Sequence, residues 1–473
     1  MSERLTAPAE SGPSGRPTRA TTALGGFPAL VDDGVERLRN IRYARADRFA
    51  PPEPLPPDPD ESAELQHVVV ACPQPPSAAD EIYGPQLRDV RFTEDCLRLT
   101  VTRPAGTGSG DALPVMVWVH GGAYVSGAGD LPGYDPAALV REQQVVVVAV
   151  TYRLGALGFL GDDAVDDGGA TSVPDRIPLP LNLGLLDVLA ALGWVRDHVA
   201  AFGGDPDRVT VFGQSAGADL LAHVLGADGA DGLFRRAILQ SAPLGLRGGR
   251  DEVRALLSRT AGDLPRTGPV AEVLDAQVRA AEAVKGINDR AGMPFAPACG
   301  HAPLPPEAGF LGAWRRRAPD VDLLVTWTSQ DGSAFVHLDP KGRALLDRPL
   351  VGKALFGLAT RKVTDVLFRT AARRFARDMV AAGGTVAAAE VTARVVGNPL
   401  GATHAVELGL LFPRAERWAA APVIGPDGAA DLVAAGRDLR AAWAEFARGG
   451  RSPGDVRVAD GTGWTGGLRV VRP

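Results

Sequence analysis

The sequence predicts an α/β protein built on a large, mostly parallel central sheet with helices on both faces. Two observations carry this expectation. Short β-branched runs alternate with long stretches of helical periodicity, the pattern of successive strand–helix units. Two of those runs, 115–119 and 145–150, are continuously apolar, as strands covered on both faces must be. A chain of 473 residues, 45% of them hydrophobic, is ample for a core of that size.

Taken in order, the first 26 residues are rich in Ser, Pro, Thr and Gly and hold no apolar run of about 7–15 residues. They are expected to be a disordered tail, neither secretory signal nor membrane anchor, which makes the cytoplasm the default compartment. A single domain is expected over 27–473. After the two apolar strands, Leu185, Leu189, Leu192, Val195 and Val199 recur at helical spacing until Gly203-Gly204-Asp205-Pro206 breaks the chain. Further strands are expected at 209–212, 237–240, 321–326 and 391–395. Two stretches interrupt the alternation, 243–315 and 335–385. Both are helical and Arg-rich, and are expected to be excursions that cap the sheet. Nothing approaches the ~20 continuous apolar residues of a membrane span. The net charge of −6 is mild and unblocked, which argues against nucleic-acid or membrane-surface partners. Four lysines stand against forty-six arginines, and three cysteines are too few for a disulfide scaffold or a zinc site.

The strongest local signal is Gly213-Gln214-Ser215-Ala216-Gly217, between the strand at 209–212 and a helical run from Ala216. A five-residue pattern alone could be a glycine-rich helix cap. With a strand before and a helix after, it reads as a G-x-S-x-G elbow, whose small residues let a strained turn expose a nucleophilic serine. A second signal, His120-Gly121-Gly122-Ala123, directly follows a buried strand. A tetrahedral oxyanion needs unobstructed peptide N–H donors, and the expected ones are Gly122, Ala123 and Ala216, with Gly121 in support.

On these motifs the chain resembles the type-B carboxylesterase (cholinesterase-like) family of α/β-hydrolases. Further blocks carry the likeness in the same order: Gly34-Val35, Ile41 to Ala44, Glu94-Asp95-Cys96-Leu97, Tyr152 to Phe159, Asn182 to Asp187 and Ala201 to Asp205. The resemblance implies the α/β-hydrolase fold with a small N-terminal antiparallel sheet, and a triad in the order Ser, acid, His. The family's acid is a Glu directly before a Gly. Here Asp331 takes that place before Gly332, one methylene shorter, with Asp339 and Asp365 as weaker candidates. His404 lies in Thr403-His404-Ala405-Val406-Glu407-Leu408, which resembles the loop bearing the family's catalytic histidine, and Glu407 is expected to serve a structural helix start. Ser241 resembles the serine found near the acid, as against an ordinary strand-end serine. Arg48 with Glu94, and Arg153 with Asp187, resemble the family's buried ion pairs. Cys72 and Cys96 match a pair that secreted relatives oxidise, and are expected here as free thiols.

The implied reaction is hydrolysis of a small-molecule carboxylic ester through an acyl-Ser215 intermediate, with no metal or cofactor. An acyltransferase or cyclase using the same acyl-enzyme is the alternative, and monomer and homodimer are equally compatible. Gln214 stands where cholinesterases carry Glu, which argues against a choline site. The 73-residue separation of Asp331 and His404 is shorter than the family's usual one, and implies a reduced cap over a wider pocket.

Overall fold

The computed structural model describes residues 15–60, 63–77, 79–161, 179–247, 249–287, 293–459 and 461–472. One sheet of twelve strands organises them: β1 (Arg16–Thr22), β2 (Gly25–Asp32), β3 (Val35–Arg42), β4 (Arg98–Pro104), β5 (Leu113–Val119), β6 (Val146–Val150), β7 (Gly204–Gln214), β8 (Arg236–Gln240), β9 (Asp322–Thr328), β10 (Val386–Val391), β11 (Val456–Arg457) and β12 (Gly467–Val471). Their order across the sheet is β1-β2-β3-β4-β6-β5-β7-β8-β9-β10-β12-β11. The centre, from β6 to β10, is parallel throughout. Antiparallel strands flank it on both sides, so the sheet is mixed, and its N-terminal antiparallel strands are continuous with the rest.

The pleat explains why the central strands read as unbroken apolar runs. Along β5, Val115, Val117 and Val119 enter one core while Met116 and Trp118 enter the other, because alternate side chains leave opposite faces. Each core is closed by helices. The helices that matter below are α1 (Asp80–Tyr83), α2 (Leu183–His198), α3 (Ala216–Leu225), α4 (Arg250–Ala261), α5 (Val270–Ala283), α6 (Glu307–Arg317), α7 (Gly332–Leu338), α8 (Pro340–Arg343), α9 (Gly352–Val363), α10 (Thr370–Ala381), α11 (Glu407–Leu411) and α12 (Leu432–Gly449). Helices α4 and α5 fall in the stretch 243–315, α6 starts in it and runs to Arg317, and α7 to α10 lie in or beside 335–385.

Two sequence expectations need correction. Residues 16–26, expected within a disordered tail, hold β1 and the start of β2, paired from Arg16 with Val31 to Thr22 with Gly25; residues 1–14 lie outside the described residues. Strand β1 buries only two of its seven side chains, so edge pairing of backbone groups, not an apolar face, holds it in place. The strand expected at 391–395 lies earlier, at Val386–Val391, and only Arg394–Val395 form a separate two-residue strand. Its core is three alanines, a residue with little strand preference, so burial between β9 and β12 decides the matter.

Charged ties fasten the outer pieces to the sheet. Arg153 donates to Asp187 from Nη2 at 2.6 Å and from Nε at 2.8 Å, with Asp187 fully buried. Arg48 grips Glu94 in the same two-point manner and also donates to the carbonyls of Pro265 and Gly268. Asp135 accepts from Arg37 on β3 and from Arg414 in the segment leading to Trp418. Cys72 and Cys96 are buried free thiols.

Candidate active site

The carboxyl ends of the central strands converge on one cavity of about 1090 Å³, the place where open α/β sheets bind ligands. Strand β7 ends at Gln214, α3 starts at Ala216, and Ser215 sits between them at φ 57°, ψ −125°. A serine held in that sparsely populated region stores strain that its surroundings must impose. The two flanking glycines show how. A Cβ on Gly217 would lie 2.1 Å from the Val119 carbonyl oxygen, and one on Gly213 would lie 2.8 Å from that same atom. Only glycine lets the elbow press this close to the end of β5.

The loop after β5 packs against the elbow from above. A Cβ on Gly121 would meet the Gln214 carbonyl oxygen at 2.6 Å. Gly122, Ala123 and Tyr124 follow with φ of 114°, 55° and 63°, three successive left-handed residues of the sort that form concave nests of peptide N–H groups. Distant side chains hold this turn. Gln74 exchanges a pair of hydrogen bonds with Gly127, accepting from its N–H at 2.7 Å and donating to its carbonyl at 2.9 Å. Tyr124 donates to Asp219 at 2.6 Å, and Tyr152 donates to the His120 carbonyl at 2.8 Å while stacking on the His120 ring. Burial lowers the pKa of His120 to about 4, so it stays neutral beneath the loop.

Opposite, His404 Nδ1 faces Asp331 Oδ1 at 2.8 Å. Asp331 is fully buried, and its second oxygen accepts from the Thr328 N–H at 2.8 Å and the Ser241 hydroxyl at 3.2 Å. The two loops are stitched together. Gln330 N–H donates to the Ala402 carbonyl, Ala402 N–H donates to the Gln330 side chain, and the Ser333 hydroxyl donates to the Leu400 carbonyl and meets Thr403 Oγ1. Phe335 and Phe368, stacked on each other at 5.7 Å, both pack against the His404 ring with centroids 5.0 Å away, and Tyr83 donates to the His404 carbonyl at 3.0 Å. His404 Nε2 faces the Gln214 amide nitrogen at 3.1 Å. With the Nδ1 proton directed at Asp331, Nε2 presents a lone pair, so the amide donates to it.

The residues expected from sequence are therefore brought together: Gly121, Gly122, Ala123, Gln214, Ser215 and His404 line the cavity, Ala216 is buried at the elbow, and Asp331 and Ser241 stand behind His404. The weaker candidates are engaged otherwise: Asp339 lines the cavity but caps α8, and Asp365 pairs with Arg369 at 2.5 Å. Glu407 does open α11, but it is also fully buried, and burial reinforced by Asp331 raises its pKa to about 8. Gln74, Tyr83 and Tyr124 escaped the sequence reading, and Tyr152 entered it only within a block of family resemblance, with no role attached. Their partners lie 32 to 321 positions away, so no local pattern marks them.

Comparison with known proteins agrees with this architecture. Residues 24–354 match the profile of the Carboxylesterase family. A probable N-octanoylanthranilate hydrolase of Rhodococcus erythropolis is 37% identical over 440 residues, covering 91% of this chain and 93% of that protein. Phenmedipham hydrolase of Pseudarthrobacter oxydans is 30% identical, covering 76% and 75%. Among solved structures, a PNB esterase superposes with a TM-score of 0.69 at 27% identity, covering 93% of this chain and 92% of its own. No helix among the described residues is long and apolar enough to cross a membrane. The chain belongs to the carboxylesterase family of α/β-hydrolases, enzymes that hydrolyse small-molecule carboxylic esters.

Proposed function

We propose that Ser215, His404 and Asp331 form the catalytic triad and that hydrolysis proceeds through an acyl-Ser215 intermediate. The observation that carries this reading is the 2.8 Å contact between His404 Nδ1 and Asp331 Oδ1, directly behind the strained elbow in one shared cavity. Asp331 fixes the tautomer that leaves Nε2 free to accept the Ser215 proton. The Ser215 hydroxyl competes with the Gln214 amide for that lone pair, so attack requires the hydroxyl to take the amide's place. As Oγ bonds to the acyl carbon, the carbonyl oxygen gains charge facing the peptide N–H groups of Gly122, Ala123 and Ala216. His404 returns the proton to the departing alkoxide. Water, deprotonated by the same nitrogen, then releases the acid.

The acyl group we assign to the cavity is apolar and of about octanoyl length, as in the N-octanoylanthranilate for which the Rhodococcus relative is named. Leu87, Leu131, Leu345, Val363, Leu408 and Trp418 line its wall, and each methylene buried there contributes about 0.8 kcal/mol. The test is Ser215→Ala with 4-nitrophenyl octanoate. Turnover should fall at least ~1000-fold, in line with loss of a triad member, with an unchanged melting temperature. Wild-type turnover in a folded Ser215→Ala protein rejects the assignment.

A further inference from the structure

We propose that a second cavity, which shares Tyr134 with the catalytic one, is a binding site for a small oxyanion, a phosphate or carboxylate group held by Arg37, Arg39, Arg414 and Arg417. The proposal is independent of which residue is the nucleophile.

This cavity measures about 360 Å³, on the order of ten times the ~30 Å³ that a water molecule takes up in the liquid. Its floor is one face of the sheet. Arg37 and Arg39 on β3, Thr100 and Thr102 on β4 and Ala149 on β6 line it. Residues two apart share a face, and the register sets Arg37 beside Thr102 and Thr100 beside Ala149. Residues from the turn 132–136 and the segment 414–417 complete the wall. Tyr134 also lines the catalytic cavity, and Trp418 of that cavity directly follows Arg417. An occupant here is therefore one side chain away from a bound ester.

Arginines buried on a strand are costly unless their donors find acceptors, and here several do not. Arg37 and Arg39 are only 6% and 4% exposed. Arg37 gives Nε and Nη2 to Asp135, while its Nη1 has no hydrogen-bond partner. Arg39 Nη2 stands 2.8 Å from Asp130 without hydrogen-bond alignment, and its Nε meets no acceptor. Arg414 donates from Nη1 to Asp135 at 2.8 Å, which leaves its Nε equally unmatched. Arg417 forms no ion pair among the described residues. The opposing carboxylates do not use up this capacity. Asp135 is filled by Arg37, Arg414 and the Ala137 N–H. Asp130 accepts from the Thr100 hydroxyl at 2.7 Å. Glu416 is exposed at the rim, where solvent and salt screen it. These three acids face four guanidinium groups, so one positive charge is left over beside the unmatched N–H groups. Water can fill the donors but cannot offset the charge. An oxyanion does both, and its spread of acceptor oxygens suits the guanidinium fork.

Isothermal titration calorimetry in chloride at fixed ionic strength tests this with inorganic phosphate and with acetate, on wild type, Ser215→Ala, Arg39→Gln and Arg417→Glu. Wild type and Ser215→Ala should bind the anion equally well, since the site lies outside the catalytic cavity. Tighter binding of phosphate identifies a phosphate group as the occupant, and tighter binding of acetate a carboxylate. Arg39→Gln should weaken binding at least ~10-fold, the value of a buried hydrogen bond to a charged group. Arg417→Glu should weaken it roughly fivefold by turning an exposed attraction into a repulsion. That half-buried position ties no elements together, so its melting temperature in chloride should match wild type. If Arg39→Gln does not fold, Arg417→Glu alone decides. Failure of both anions to bind wild type with a Kd below ~10 mM, or an affinity unchanged in Arg417→Glu, overturns the proposal and leaves the nucleophile assignment standing.

Discussion

Replacing Glu407 with Gln should make the protein progressively more stable than wild type as pH rises from about 5 to 8. The carboxyl group is fully buried, its Oε1 accepts from Gln240 at 3.3 Å, and its Oε2 has no hydrogen-bond partner. The groups that face it are Asp331 and Tyr83; Gln240 is neutral and is itself held by the Trp443 indole. Burial and the Asp331 charge raise the Glu407 pKa from its ordinary 4.5 to about 8. Between those values the folded state keeps a proton that the unfolded chain has released. The folded state then binds more protons, and stability falls with rising pH by up to ~1.4 kcal/mol per unit. The penalty is absent below pH 4.5 and complete above about 8. Gln carries no ionisation to penalise and can still accept from Gln240. From pH 6 to 8 the variant should therefore gain about 2–3 kcal/mol on wild type. An unfolding entropy of ~2.1 cal/mol/K per residue corresponds to roughly 1 kcal/mol/K for a chain this long. The difference in melting temperature should thus widen by ~2–3 °C, measured by scanning fluorimetry at a fixed heating rate. Parallel curves for the two proteins across that range would refute the reasoning.

Three further outcomes follow from the geometry. Asp331→Asn should cut turnover by ~10⁴, as for the equivalent change in a serine protease, with little change in melting temperature; a loss below about threefold in steady-state assays shifts the role to another carboxylate. Arg153→Met should destabilise by ~3–5 kcal/mol because it strands the fully buried Asp187, and Asp187→Leu on the same background should restore most of it; chemical denaturation checks both, and equal stability of the single and double variants counts against a buried ion pair. Ellman's reagent at pH 8 should label almost nothing in the native protein and three thiols after denaturation. Cys96 is raised well above the ordinary thiol range by its hydrogen bond to Cys72 and by burial, and burial pushes Cys299 up to about 12. Rapid native labelling of two or more thiols contradicts that picture.

The parts of this architecture that were legible in sequence are those where geometry leaves few choices of residue. The elbow admits only small residues at Gly213 and Gly217, because Val119 approaches them closely, and the central strands must be apolar on both faces. Elements set by tertiary context were not legible. Strand β10 consists mostly of alanine, and β1 is a polar edge strand whose only claim to order is its pairing with β2. The positioning of His404 was legible to its carboxylate and no further. Phe335 and Phe368, stacked together against the ring, and Tyr83 on its carbonyl, come from three separate segments. Gln214 was visible as a departure from the cholinesterase residue. That its amide meets Nε2 could only be learned from structure.

Asp135 joins Arg37 on the third strand to Arg414, four residues ahead of the Trp418 ring that forms part of the substrate wall. That stretch of wall is thereby moored electrostatically to a strand far from the nucleophile. Because Arg37 and Asp135 are largely buried, salt screens this mooring little, and the crevice should keep its shape across a wide range of ionic strength. Residues between the mooring and the tryptophan can also change during evolution while the hydrolytic apparatus stays as it is.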